Sequence, residues 1–271
     1  MITVPLFATS ASGHTVKISK TTRQASTGPS TLNNRSTVPT IKTISLYSLP
    51  LSFYFWQVFG LLLVGLLFLA LSRSEQLDWL ISNYWFDPVG QNFPWEHNKW
   101  LDLLNHRLLK MALIATAIAA LLWGIYRRNG RLVTTALLFG LGPLVIGILK
   151  ATSAHSCPWD LVEYGGKALN YVLMDTAPPG AGPGHCFPGG HASSGFAVMA
   201  LFFLFYPERP RLAMLCWFAG IGLGMLMGFG QIMRGAHFLT HNLWAGWWVW
   251  LSQLAAFWII SGYYQRIKGT E

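Results

Sequence analysis

The chain has 271 residues, of which 52% are hydrophobic and 11% charged, with thirteen tryptophans, far from the roughly 25% charged content of an average soluble domain. The net charge of +9 raises the question of nucleic acid, but the basic residues are spread over short segments between apolar runs and form no single stripe. The composition excludes a soluble domain and a nucleic-acid binder, and fits an integral membrane protein whose positive loops face the cytoplasm.

Residues 1–44 are rich in Ser, Thr and Asn, carry Lys17, Lys20, Arg23, Arg35 and Lys42, and contain no acidic residue. They are expected to form a flexible cytoplasmic tail without the features of a signal peptide, ahead of a membrane domain over 45–271. Six apolar spans follow, at Ser52–Ser72, Leu108–Tyr126, Leu132–Leu149, Ala192–Tyr206, Leu212–Ile232 and Phe238–Ile260. A helix needs about 20 residues to cross a hydrocarbon core of about 30 Å. The fourth span is short, so it must extend through His191 or run into the YPERP turn. The expected fold is all-α, a polytopic bundle of six transmembrane helices.

Orientation follows from Lys and Arg in the connections. The tail, Arg127, Arg128 and Arg131, Arg209 and Arg211, and Arg266 with Lys268 all fall on one side of the alternating spans. That side is assigned to the cytoplasm, with both termini, which places 73–107, 150–191 and 231–241 on the outer face of a bacterial inner membrane. The 73–107 connection is dense in aromatic residues and is expected to anchor at the interface.

Seven of the eight histidines, His97, His106, His155, His185, His191, His237 and His241, lie in those outer segments. Several imidazoles on one face of a membrane bundle point to a site. His191 follows Pro188-Gly189-Gly190 at the opening of the fourth span. Glycines let backbone approach a ligand, and a helix N-terminus presents N–H donors and partial positive charge, so a phosphate suits this position. There the imidazole can donate a proton to a leaving group. His237 and His241 stand four apart and share a helix face. They can bind a metal, or one can orient the other for nucleophilic attack. No acidic residue or cysteine adjoins them and HExxH is missing, so zinc is the weaker reading and no cofactor is expected. Lys150, beside the turn that holds His155, can neutralise a phosphate oxygen.

Together these segments resemble the type 2 phosphatidic acid phosphatase (PAP2) superfamily, membrane branch, whose pattern runs K-x6-R-P, P-S-G-H, then S-R-x5-H-x3-D. Lys150-x6-Cys157-Pro158, Pro188-Gly189-Gly190-His191 and Gln231-x5-His237-x3-His241 follow in the same order. The resemblance implies a PAP2-like bundle in which His237 attacks phosphorus to form a phosphohistidine and His191 protonates the leaving oxygen. It also implies that Lys150 with the Gly189 and Gly190 amides holds the phosphoryl oxygens, without metal. Cys157 and Gln231 stand where the family has arginine, and His241 where it has the orienting aspartate. Neither cysteine nor glutamine offers arginine's bidentate fork. Arg234 is a candidate to supply the missing charge, the alternative being headgroup binding. His241 or Asn242 is left to orient His237.

Cys157 and Cys186 both lie in the outer loops, where an oxidising compartment permits a bridge. Such a bridge closes about thirty residues and is worth roughly 3–4 kcal/mol by chain entropy. Cys216 is expected to be a small apolar residue within the fifth span.

The function expected is hydrolysis of a lipid phosphate or diphosphate at the outer surface, with tails between the helices. Phosphatidic acid, phosphatidylglycerol phosphate, undecaprenyl diphosphate and lipid A are all candidates. A non-catalytic lipid-phosphate binder, a phosphotransferase and a metal-dependent hydrolase are the alternatives.

Overall fold

The computed structural model describes residues 46–268, apart from the side chains of 104–106 and 268. The expected tail over 1–44 and the His106 side chain therefore lie outside the described residues. The principal helices are α1 (Leu51–Ser74), α2 (Gln76–Trp85), α3 (Leu109–Tyr126), α4 (Gly130–Thr152), α5 (Gly190–Phe205), α6 (Pro210–Met233) and α7 (Leu239–Lys268). The described residues form no strand, only isolated bridges at Asp87–Asn92 and Leu161–Ala168. A π-helical turn over Asp102–Leu108 leads into α3.

All six expected spans are helices, and α1, α3, α4, α6 and α7 are long and apolar enough to cross a membrane. The fourth, α5, is shorter. It starts at Gly190, so it does take in His191, and its middle tightens to a 3-10 turn over Ala197–Ala200. That geometry rises about 2.0 Å per residue against 1.5 Å in an α-helix, which lengthens the helix without adding residues. The helix stops before Tyr206-Pro207, and Pro210 opens α6 at its first turn, where a missing N–H costs nothing.

The short helix is the central one. Ala192, Ser193, Ser194, Gly195 and Phe196 of α5 are all buried, whereas Leu62, Leu66, Ile118 and Leu122 on α1 and α3 are largely exposed and form an apolar outer surface. Phe203 of α5 stacks on Phe257 of α7 at 4.3 Å. The Gln253 side chain of α7 donates to the Ala197 carbonyl at 3.1 Å and the Leu138 carbonyl at 3.4 Å, linking α7 to α5 and α4. Close approach of α5 and α6 depends on Gly220 and Gly224, which face Met199 and Phe196, while Gly228, one turn further along α6, faces Asn242 of α7. Small residues at this spacing let helix backbones pack where lipid offers no hydrophobic drive to association.

The basic connections gather at one end of the bundle. Arg131 holds Glu208 through two hydrogen bonds of 2.6 and 2.5 Å, its guanidinium lies 4.8 Å over the Tyr47 ring, and Gln265 donates to the Leu46 carbonyl at 3.2 Å. The start of the described chain, both Arg-bearing turns and the end of α7 thus meet. At the opposite end α2 and the loops around 86–101 and 153–189 form a cap. Phe93, Leu161, Tyr164 and Phe238 are buried together there with Trp79 and Phe86 packed on them. The 73–107 segment, expected as an interfacial anchor, therefore also roofs the turn that leads into α7, because its rings find one another as well as the membrane.

A Cβ on Gly224 would enter the Phe196 ring, whereas one on Gly222 meets nothing within 4 Å. Gly224→Val is expected to cost about 1–3 kcal/mol by overpacking and to lower the apparent melting temperature in detergent. Gly222→Val should leave it unchanged within error.

Candidate active site

Three segments distant in sequence meet at the capped end. α4 ends on Lys150, α5 begins at Gly190 and His191, and the turn after α6 carries His237 into α7 and His241. The loops are stitched by backbone pairing. His185 N–H donates to the Ser153 carbonyl at 2.8 Å and Cys186 N–H to the His155 carbonyl at 2.9 Å. Cys157 and Cys186 are disulfide-bonded, with Cα atoms 5.2 Å apart. Gly189 N–H donates to the His241 carbonyl at 2.8 Å, joining the start of α5 to the first turn of α7.

Around this knot the candidate side chains converge. A Cβ built on Gly190 would lie 3.7 Å from Lys150 Nζ, so the ammonium sits against the mouth of α5. The His191 and His237 rings are 6.4 Å apart by centroid, and His237 and His241 are 5.9 Å apart edge to face. His237 is 2% exposed and His241 4%. Cys186 Sγ lies 3.4 Å from His237 Nδ1 and 3.0 Å from the Ala236 carbonyl oxygen. Burial depresses the affinity of His237 for a proton well below the ordinary histidine range, and His241, Lys150 and His191 add repulsion in the same direction. The ring is thus held neutral, the form a nucleophile requires. Cys157, Cys186 and His237 bring their ligand-type atoms within 4.8 Å of one another, but two sulfurs bonded together do not present the thiolates that metal ligation needs.

Residues 131–266 match the family model of the PAP2 superfamily. The chain belongs to that superfamily. Among solved structures it is similar to a transmembrane PAP2-type phosphatidylglycerolphosphate phosphatase from Bacillus subtilis, with 20% sequence identity and a TM-score of 0.44, covering 76% of this chain and 96% of that one. No curated protein matches it significantly.

Within the PAP2 pattern several expected roles change. The Gly189 N–H, expected to hold a phosphoryl oxygen, is committed to the His241 carbonyl, and a Cβ there would collide with Asn242 Oδ1. Gly189 serves close packing of α5 on α7. Arg234, expected to restore missing charge, is turned to the cap. Its Nε donates to the Glu96 carbonyl at 3.0 Å and its Nη1 meets Asp102 at 3.4 Å. That carboxylate offsets its charge. Gln231 is buried, and its Nε2 finds no hydrogen-bond partner among the described residues, which leaves an unsatisfied donor. Asn242 is bound to the Gly228 and Phe238 carbonyls, both at 3.3 Å, and so braces α6 against α7 instead of touching His237.

Of the other outer histidines with described side chains, only His155 lines a cavity together with His241. His97 is exposed beside Glu96. His185 sits over the Lys150 carbonyl at 3.3 Å. His155 stacks on Tyr171 at 4.2 Å, and burial lowers its proton affinity. One residue escapes sequence reasoning altogether. Asp78 of α2 accepts from Thr240 N–H at 2.9 Å and from the Thr240 hydroxyl, capping α7 from another helix. Burial lifts its pKa to about 6 against the pull of the two Thr240 bonds. The available signal is a single charged residue, an aspartate, in QLDWLISNYW, a costly placement on a buried face unless it is partnered.

Asp78→Ala strips the cap and is expected to cost about 1–3 kcal/mol, read as a lower melting temperature, while also loosening the turn that carries His237. A second outcome concerns pH. Because the folded protein holds His237 far below its unfolded affinity, the unfolded chain alone takes up that proton as pH falls below about 6.5, and stability is lost on the acid side. Between pH 7 and pH 5, His237→Gln should therefore lose less melting temperature than wild type, by on the order of a few degrees.

Proposed function

We propose that the protein is a multi-pass membrane phosphatase that hydrolyses a lipid phosphate or diphosphate through a phosphohistidine on His237, at the outer, periplasmic face. The observation that carries this reading is the meeting of Lys150, His191 and His237 around the N-terminus of a buried helix. His237, held neutral, attacks phosphorus as the bond to the leaving oxygen breaks, and His191 gives that oxygen its proton. Water then attacks the phosphohistidine, His191 takes the water's proton, and the N–P bond breaks to release phosphate. Lys150, the Gly190 amide and the orphan Gln231 amide face the phosphoryl charge. An alternative acceptor in place of water would make the reaction a phosphotransfer.

A lipid substrate is supported by an apolar groove of about 690 Å³ lined by Ile114, Ile118, Leu141 and Leu144, with Lys110 and Ser194 also on its wall. Lys110 lies within electrostatic reach of Lys150, which brings the groove and the phosphate-binding end together. The outer-face assignment is supported by the gathering of Arg131 and its partners at the opposite end, which the charge rule assigns to the cytoplasm. A non-catalytic lipid-phosphate binder is the second reading. It is favoured by the arginine positions held by Cys157 and Gln231 and by the commitment of Arg234 to Asp102.

Detergent-solubilised protein offered phosphatidic acid, phosphatidylglycerol phosphate and an isoprenoid diphosphate is expected to release phosphate from at least one. His237→Ala should lower the rate at least about a hundredfold and His191→Ala by a comparable factor. Labelled phosphate is expected to be trapped on the protein in acid-labile form in His191→Ala. Release by His237→Ala at the wild-type rate would refute the nucleophile. Loss of release with EDTA and recovery with zinc would favour a metal-dependent hydrolase, and binding without turnover would favour the binder.

A further inference from the structure

A histidine that attacks phosphorus through one ring nitrogen must carry its proton on the other. His241 occupies the position expected to fix that proton, yet no hydrogen bond joins the two imidazoles, whose centroids stand 5.9 Å apart edge to face. What faces His237 Nδ1 is sulfur. Cys186 Sγ lies 3.4 Å away, and both residues are buried.

That sulfur is bonded to Cys157 and carries no hydrogen. It can only accept, so a hydrogen bond here has one permitted direction, with Nδ1–H donating and Nε2 keeping its lone pair. Residue 186 is itself pinned. Its N–H is bound to the His155 carbonyl at 2.9 Å, and its sulfur rests 3.0 Å from the carbonyl of Ala236, the residue before the nucleophile.

We propose that the Cys157–Cys186 disulfide is the positioning group for the nucleophile, holding His237 as the Nδ1–H tautomer with Nε2 free to attack. The role expected of His241 passes to a disulfide, and the cysteine at a family arginine position acquires a purpose.

Reduction reverses the polarity of the contact. A dithiol supplies two electrons and two protons, the S–S bond breaks, and the dithiol closes to its own disulfide. Cys186 then bears an S–H that can donate to Nδ1. Donation there puts the ring proton on Nε2 and removes the attacking pair.

The inference rests on the proposed nucleophilic role of His237, so the experiment has two arms on full-length protein in detergent. In the first, ring nitrogen chemical shifts of ¹⁵N-histidine-labelled protein are compared for oxidised and dithiothreitol-reduced wild type and for Cys186→Ala, with His237→Gln for assignment. His237 should be a single Nδ1–H tautomer when oxidised and a mixture or Nε2–H in the other two. In the second, phosphate release from phosphatidic acid in mixed micelles is expected to show a kcat about tenfold lower after reduction and in Cys157→Ala, the loss of one modest hydrogen bond. KM should stay within about twofold, and Cys216→Ala should match wild type.

An Nε2–H His237 in the oxidised protein would overturn the proposal. So would an unchanged kcat after reduction verified by thiol alkylation, or a loss confined to KM, which a merely structural bridge predicts. If Cys186→Ala does not fold, reduced wild type carries both arms. Failure of every form to hydrolyse any lipid phosphate counts against the proposed function, and the tautomer arm still decides this inference.

Discussion

The hydrogen bond from Gly189 N–H to the His241 carbonyl, 2.8 Å long, is the constraint on which the capped end is built. It requires the start of α5 and the first turn of α7 to touch backbone to backbone. Only a residue without Cβ permits this, because Asn242 fills the space a side chain would need. Contact at one end propagates down the bundle. With α5 pinned to α7, Gly220 and Gly224 let α6 close on α5 from the other side, and a short helix ends up buried on nearly every face. Its N-terminus is then delivered to the imidazoles and to Lys150 as a consequence of packing.

The electrostatic character of the site follows from that burial. Three imidazoles and an ammonium are brought together, and burial with the neighbouring cationic groups holds His237 neutral while the lysine and the helix N-terminus supply positive potential. The acidic residues sit one layer out, where they hold the scaffold. Asp78 caps α7 through Thr240, and Asp102 engages Arg234. Charge in the roof is therefore used for structure.

Much of this was legible in the sequence, and the limits have physical causes. Each of the six apolar spans is a helix with ends within about three residues of those expected, because hydrocarbon thickness dictates length, except that α7 continues eight residues past Ile260 to Lys268. The meeting of Lys150, His191 and His237 was an expectation carried by three spaced motifs, and the structure does bring those residues together. Other roles were illegible because they turn on which partner a group finds. Gly189 is indistinguishable from an anion-binding glycine until its N–H is seen bound to His241. Arg234 reads as a free cation until Glu96 and Asp102, more than a hundred residues away in the chain, fold beside it. Asp78 has no motif at all, for a cap donated from one helix to another leaves no local spacing.

The sequence by itself determined the class of molecule, the number of its apolar helices, the alternation of its basic turns along the chain and a set of candidate site residues. These are one-dimensional quantities, set by hydropathy, charge and local spacing. Only the tertiary structure decided how hydrogen bonds are shared among them: which amide is already spent, which arginine is already paired, and which atom faces His237. Such assignments depend on distances of about 3 Å between segments far apart in the chain, and hydrogen bonding at that range is a property of the packed fold.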